Sequence, residues 1–187
     1  NSPTDNAGSS FGFLQQNWAD LAELARKAER ARDQLEPDVV AFRLRIFAEE
    51  MVSKLFHQIG LPVSPDTTQL DRLREIEKAD LLDRRLMAKF HTIRKIGNRA
   101  AHNKPVTQEQ AVSLVEDAFS LSSWFCRFMR PDVSWFTPWQ PGIKAAEAAL
   151  TPNTPDEDTA RQPTATGTCS NIVQFPEERI RRIREEV

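Results

Sequence analysis

The chemistry-bearing residues of this chain gather in one run, Phe90-His91-Thr92-Ile93-Arg94-Lys95-Ile96-Gly97-Asn98-Arg99-Ala100-Ala101-His102-Asn103. Arg94, Asn98 and His102 recur every four residues, which on an unbroken helix places them on one face. Guanidinium, carboxamide and imidazole side by side suit RNA cleavage: the imidazole moves a proton while the guanidinium stabilises charge on the phosphorane. The same triplet also suits a buried structural network, because polar groups facing a close neighbour need partners. Gly97, Ala100 and Ala101 are small enough to admit such a neighbour. The preceding long helix offers Arg45, Glu49 and Glu50, with Glu49 the natural acceptor for Arg94 or His102. Polar networks between helices outnumber active sites, so the favoured set is structural: Glu49, Arg94, Asn98 and His102. A catalytic Arg94, Asn98 and His102 is the alternative.

The run is also basic. Arg84, Arg85, Lys89, Arg94, Lys95, Arg99 and Lys104 lie in a stretch with no acidic residue, although the whole chain carries a net charge of −2. One reading is a solvated face paired with Asp71, Glu75 and Glu77. The other is a contact surface for a phosphate backbone or an acidic partner, formed by Arg84, Arg85, Lys89, Lys95, Arg99 and Lys104. Other reactions lack their signatures. There is no GxxxxGK[ST], GxSxG or HExxH, and no cysteine–histidine cluster with metal-ligand spacing. His57 stands alone on a helix and reads as a surface or boundary residue.

The elements that hold this run are helical. Leu14, Trp18, Leu21, Leu24, Ala25 and Ala28 recur at three and four, predicting a first helix over residues 11–34. Glu36-Pro37-Asp38 ends it and starts a second over 38–59, with Phe42, Ile46, Met51 or Val52, Leu55 and Ile59 inward. Gly60-Leu61-Pro62 stops that helix. A short third helix spans residues 68–78. A fourth begins after Asp80 or Asp83 and carries Leu86, Phe90, Ile93 and Ile96. Thr107-Gln108-Glu109-Gln110 is a capping-box pattern opening a fifth, which runs to Met129 before Pro131. No segment alternates with period two. The expected fold class is all-α, an antiparallel bundle of about five helices followed by a flexible linker.

Domain organisation follows from composition. Residues 1–10 read as a disordered start, 11–150 as the bundle domain, and 151–172 as a linker rich in Thr, Pro, Asp and Ala. Residues 173–187 read as the start of a further helix leading to a next domain. Trp135, Phe136 and Trp139 are expected to strap across the bundle rather than form a docking patch. Cys126 and Cys169 are too few and too far apart for a disulfide framework, and no apolar run reaches membrane length. No secretory leader is recognisable, so a cytoplasmic location is expected.

Four stretches carry a resemblance: Phe13-Leu14-Gln15-Gln16-Asn17-Trp18, Arg43-Leu44-Arg45-Ile46-Phe47-Ala48-Glu49, the run from Phe90 to His102, and Trp124-Phe125. Together, over residues 11–129, they resemble the helical domain at the N-terminus of many type I restriction endonuclease R subunits. The resemblance implies a non-catalytic interaction or regulatory module. It places nuclease, ATP-driven motor and assembly regions downstream, so that ATP and Mg belong there and no cofactor belongs here. The implied partners are the other domains of the same subunit, the methyltransferase and specificity complex, and DNA backbone, with no membrane. The domain is related to the HEPN helical bundles, which implies a HEPN-like fold and, as an alternative function, a metal-independent ribonuclease. HEPN ribonucleases carry an arginine, then a polar residue, then histidine after about three more. Asn98 and His102 fit that pattern, but Gly97 stands where the arginine belongs.

Overall fold

The computed structural model describes residues 9–61 and 66–133. Residues 1–8, 62–65 and 134–187 lie outside the described residues, and with them most of the expected disordered start, the whole expected linker, the aromatic group Trp135, Phe136 and Trp139, and the expected final helix. The described part is all-helical. A short 3-10 turn, Gly12–Leu14, precedes α1 (Ala19–Asp33), α2 (Pro37–Ile59), α3 (Gln69–Lys78), α4 (Arg84–Ala101) and α5 (Gln108–Met129).

The helix starts are chemically specified. Pro37 occupies the first turn of α2, where its missing N–H costs nothing. Thr68 and Thr107 form reciprocal capping boxes with Asp71 and Gln110, and Asp83 accepts from Leu86 N at 2.8 Å. The ends of α1 to α4 share one device. At Gly60, Leu35, Asp80 and Asn103 the chain turns left-handed, with φ of 74°, 60°, 51° and 54°. The next residue's N–H then reaches back five residues, as Leu61 N does to Phe56 O and Lys104 N to Arg99 O.

Contacts at the two ends define the topology. At one end Asp38 Oδ1 accepts from Val106 N at 2.9 Å, and Gln108 Nε2 donates to Arg32 O. The end of α1, the start of α2, the end of α4 and the start of α5 therefore meet there. At the other end Asp20 pairs with Lys54 at 2.6 Å, Trp18 packs edge-on against Phe125, and Arg130 Nη1 donates to Asn17 Oδ1. The helices α1, α2, α4 and α5 thus run alternately up and down as a four-helix bundle, and the short α3 flanks α2 and α4. The central helix is α2, which packs on all the others.

Two expectations about elements need correction. The first helix does not run unbroken from Phe11. Trp18 at φ −142° separates the 3-10 turn from α1. Phe11 and Leu14 are then free to enter the core from the side, where Phe11 lies edge-on to both Phe47 and Phe119. Phe42, expected inward, is 41% exposed, and with Val39 and Leu35 forms the exposed large apolar group of the described residues. The buried stripe of α2 passes instead through Val40, Ala41, Leu44, Phe47 and Ala48. Core-facing residues on the remaining helices include Leu73, Ile76, Phe90, Ile93, Leu114, Leu121 and Phe125, all fully buried.

Candidate functional site

The basic run forms α4, and its local build explains its exposure pattern. At ~100° per residue, Met87, Phe90, Ile93 and Gly97 fall on one arc of the helix. These four are its buried residues. Gly97 marks the crossing with α2. A Cβ built there would lie 2.5 Å from Arg45 Cβ and 2.9 Å from the Ala41 carbonyl oxygen. Such an approach leaves no room for any side chain at position 97.

Arg94, Asn98 and His102 lie along the edge of that crossing. Arg94 and Asn98 are half-buried and His102, the C-cap residue, is exposed. The Arg94 Nε is enclosed without a hydrogen-bond partner. Glu49, expected to accept from Arg94 or His102, instead accepts from Arg45 Nε at 2.8 Å, one turn back on its own helix. The four residues of the expected network are therefore not joined by hydrogen bonds in this structure. His102 faces solvent, and Glu49 is engaged within α2.

Gly97, where the expected HEPN pattern would need an arginine, lies on the buried side of α4 and is pressed against α2. The neighbouring Arg99 turns away from that crossing, and its Nη2 donates to the Pro105 carbonyl at 3.0 Å. Neither arginine beside Gly97 takes its place. Among the described residues no group of three or more His, Cys, Asp and Glu side chains is placed to hold a metal ion. His91, earlier on α4, is half-buried. Its pKa is lowered first by burial and then by Arg94 and Lys95, against an opposing pull from Glu77 on α3.

The candidate phosphate contacts separate into two groups. Lys89 is engaged, with its Nζ on Asp117 Oδ1 of α5 at 2.5 Å. Arg84, Arg85, Lys95, Arg99 and Lys104 are all exposed, and none makes an ion pair among the described residues. Of the acids expected to neutralise this face, Glu77 of α3 acts on His91 of α4, and the other two are committed within α3. Asp71 pairs with Arg74, and Glu75 with Lys78, both within α3.

Sequence reasoning missed the buried polar residues Ser10, Glu29, Arg32 and Ser122. Glu29 is 6% exposed and accepts from Ser9 Oγ at 2.6 Å and Ser10 N at 3.1 Å. The signal for it was weak, because one glutamate among the charges of α1 looks like any surface carboxylate.

No helix among the described residues is long and apolar enough to cross a membrane. Neither a protein-family profile nor a solved structure matches the chain. A stretch of 103 residues is 28% identical to the Type I restriction enzyme EcoKI endonuclease subunit of Escherichia coli (strain K12), covering 55% of this chain. The match spans 9% of that protein's length, a small part of the whole subunit. Over that stretch the chain is thus similar to a region of the endonuclease subunit of a type I restriction enzyme.

Proposed function

We propose that this bundle is a non-catalytic interaction module of a type I restriction R subunit, a role expected in the cytoplasm. It would hold the motor and nuclease regions in a working relation to the methyltransferase and specificity complex. The similarity to the EcoKI endonuclease subunit carries the reading. The site geometry supports the non-catalytic part. A metal-independent ribonuclease needs arginine and histidine converging on one phosphate. Here the motif's arginine position is a glycine pressed against α2, and His102 stands exposed without a hydrogen bond to Arg94.

The test has two arms. Deleting residues 9–133 from the full-length subunit should impair assembly with the methyltransferase complex, or the coupling of ATP hydrolysis to DNA cleavage. It should leave the ATPase itself active. The isolated chain, incubated with structured and single-stranded RNA, should cleave neither. RNA cleavage abolished by His102→Ala would overturn the reading in favour of a HEPN-like ribonuclease. A deleted subunit that assembles and cleaves DNA normally would remove the interaction role.

A further inference from the structure

We propose that the outward face of α4 is a phosphate-backbone contact for duplex DNA, made by Arg84, Arg85, Lys95 and Arg99 and continued by Lys104. This deepens the reading above, because it names what one face of the module touches within a DNA-handling assembly.

The first observation is placement. At ~100° per residue the four helical cations occupy an arc of about 100°, diametrically opposite the buried arc of Phe90, Ile93 and Gly97. They run about 22 Å along the axis, at 1.5 Å per residue from Arg84 to Arg99. A duplex presents a phosphate every ~3.4 Å along each strand, so a straight stripe of this length can meet several of them. Arg99 is positioned for this by its own bond: Nη2 donates to Pro105 O, which fixes the guanidinium while leaving its other donors available.

The second observation is the surrounding charge. No acidic residue occurs in α4, and none of the five cations is in an ion pair among the described residues. Asp83 lies at the N-terminal end, but its carboxylate caps Leu86 N, and the partial negative charge at the C-terminal end of α4 offsets part of Arg99. The centre of the stripe has neither counterweight, and Glu77 of α3, which acts on neighbouring His91, sets one carboxylate against five cations. The net charge of −2 does not cancel this field, because at 0.1 M salt charges beyond about 10 Å are largely screened.

The third observation distinguishes DNA from an acidic protein. Protein interfaces are anchored by large apolar or aromatic side chains set in the contact. On the outward arc of α4 the remaining residues are Ala88 and Thr92. The exposed large apolar residues, Leu35, Val39 and Phe42, lie before and along the start of α2. A face with cations and no anchor matches backbone recognition, which positions without reading sequence.

The experiment uses the 187-residue chain and a fluorescein-labelled 20-base-pair duplex, read by anisotropy. Four phosphate contacts predict a log–log salt slope of about −3.6, or a roughly hundredfold loss of affinity between 50 and 200 mM salt. Two unrelated duplex sequences should bind equally. The double variant Arg84→Glu/Lys95→Glu should weaken binding at least tenfold at low salt and reduce the slope by about two. The double variant Arg74→Glu/Lys78→Glu on α3 makes the same change in net charge and should retain binding. Unchanged melting temperatures would show that both variants are folded.

Equal loss in both variants, retention in both, or absence of duplex binding overturns the proposal. So does displacement of the duplex by poly-glutamate at matched charge concentration, which would point to an acidic protein partner. None of these results bears on the deletion experiment above. An assembly or coupling defect without DNA binding leaves the module reading standing, and DNA binding with normal assembly and normal DNA cleavage removes it.

Discussion

Gly97→Ala is the sharpest probe of how α4 sits on α2. On an exposed helix this substitution stabilises by about 0.8–1.0 kcal/mol, because alanine loses less backbone freedom on folding. At Gly97 the added methyl would meet Arg45 Cβ at 2.5 Å, the Ala41 carbonyl oxygen at 2.9 Å and Arg45 Cγ at 3.2 Å. Two of these atoms belong to the backbone of α2 or sit directly on it, so neither can swing aside. Relief requires the two helices to separate, and overpacking of that kind costs typically 1–3 kcal/mol. With the upper half of that range set against the propensity gain, the net loss is about 1–2 kcal/mol. For a domain of this size that lowers the melting temperature by roughly 3–10 °C. Thermal melts followed by circular dichroism measure it, with Ala88→Gly on the exposed face of the same helix calibrating propensity alone. A variant that melts higher than the parent chain would refute the close crossing. It would also remove the steric argument that no arginine fits at this position.

Three further outcomes are expected. Leu35 holds φ 60° while half exposed, a conformation costing a leucine about 1–2 kcal/mol; Leu35→Gly should therefore raise stability by about 0.5–1 kcal/mol in denaturant titrations, after glycine's entropy is counted. His91 has its pKa lowered in the folded state by burial first and by Arg94 next, so the unfolded chain binds more protons in the window below the ordinary value of 6.5. Stability should fall as pH drops through that window, and His91→Gln should flatten the dependence; an unchanged slope would contradict it. The Cys126 thiol, pushed up to about 12 by burial, should resist alkylation at pH 8 until the chain unfolds, as read by peptide mapping.

The helices were legible because their signals are local. Apolar residues at three and four, the Thr107 capping box, Pro37 and Gly60 each act within one turn, and each marks a boundary or a face the structure keeps. What was not legible depends on how helices cross. The four-residue spacing of Arg94, Asn98 and His102 does put them along one edge of α4. It does not say that Glu49 takes the nearer partner Arg45, four residues away on its own helix, nor that α4 ends where His102 reaches solvent. Phe42 was misread for a similar reason. On α2, which is covered from several sides, one apolar residue more or less does not move the stripe, and Val40, Ala41 and Leu44 set it. The basic face of α4 was visible as composition. Only the packing showed that Lys89 leaves it for Asp117 while Arg84, Arg85, Lys95 and Arg99 remain outward.

The side entry of Phe11 sets an order of events at the ribosome. Its ring is closed by Phe47 on one side and Phe119 on the other. The second of those walls is synthesised 108 residues after the ring it covers, which at 5–20 residues per second is a delay of roughly 5–20 s. During that interval the early hairpin of α1 and α2 can form, with Ser9 and Ser10 tied to Glu29 and the aromatic ring half covered. The nascent chain therefore carries a half-covered apolar ring for seconds. The arrival of α5 closes it and completes the bundle.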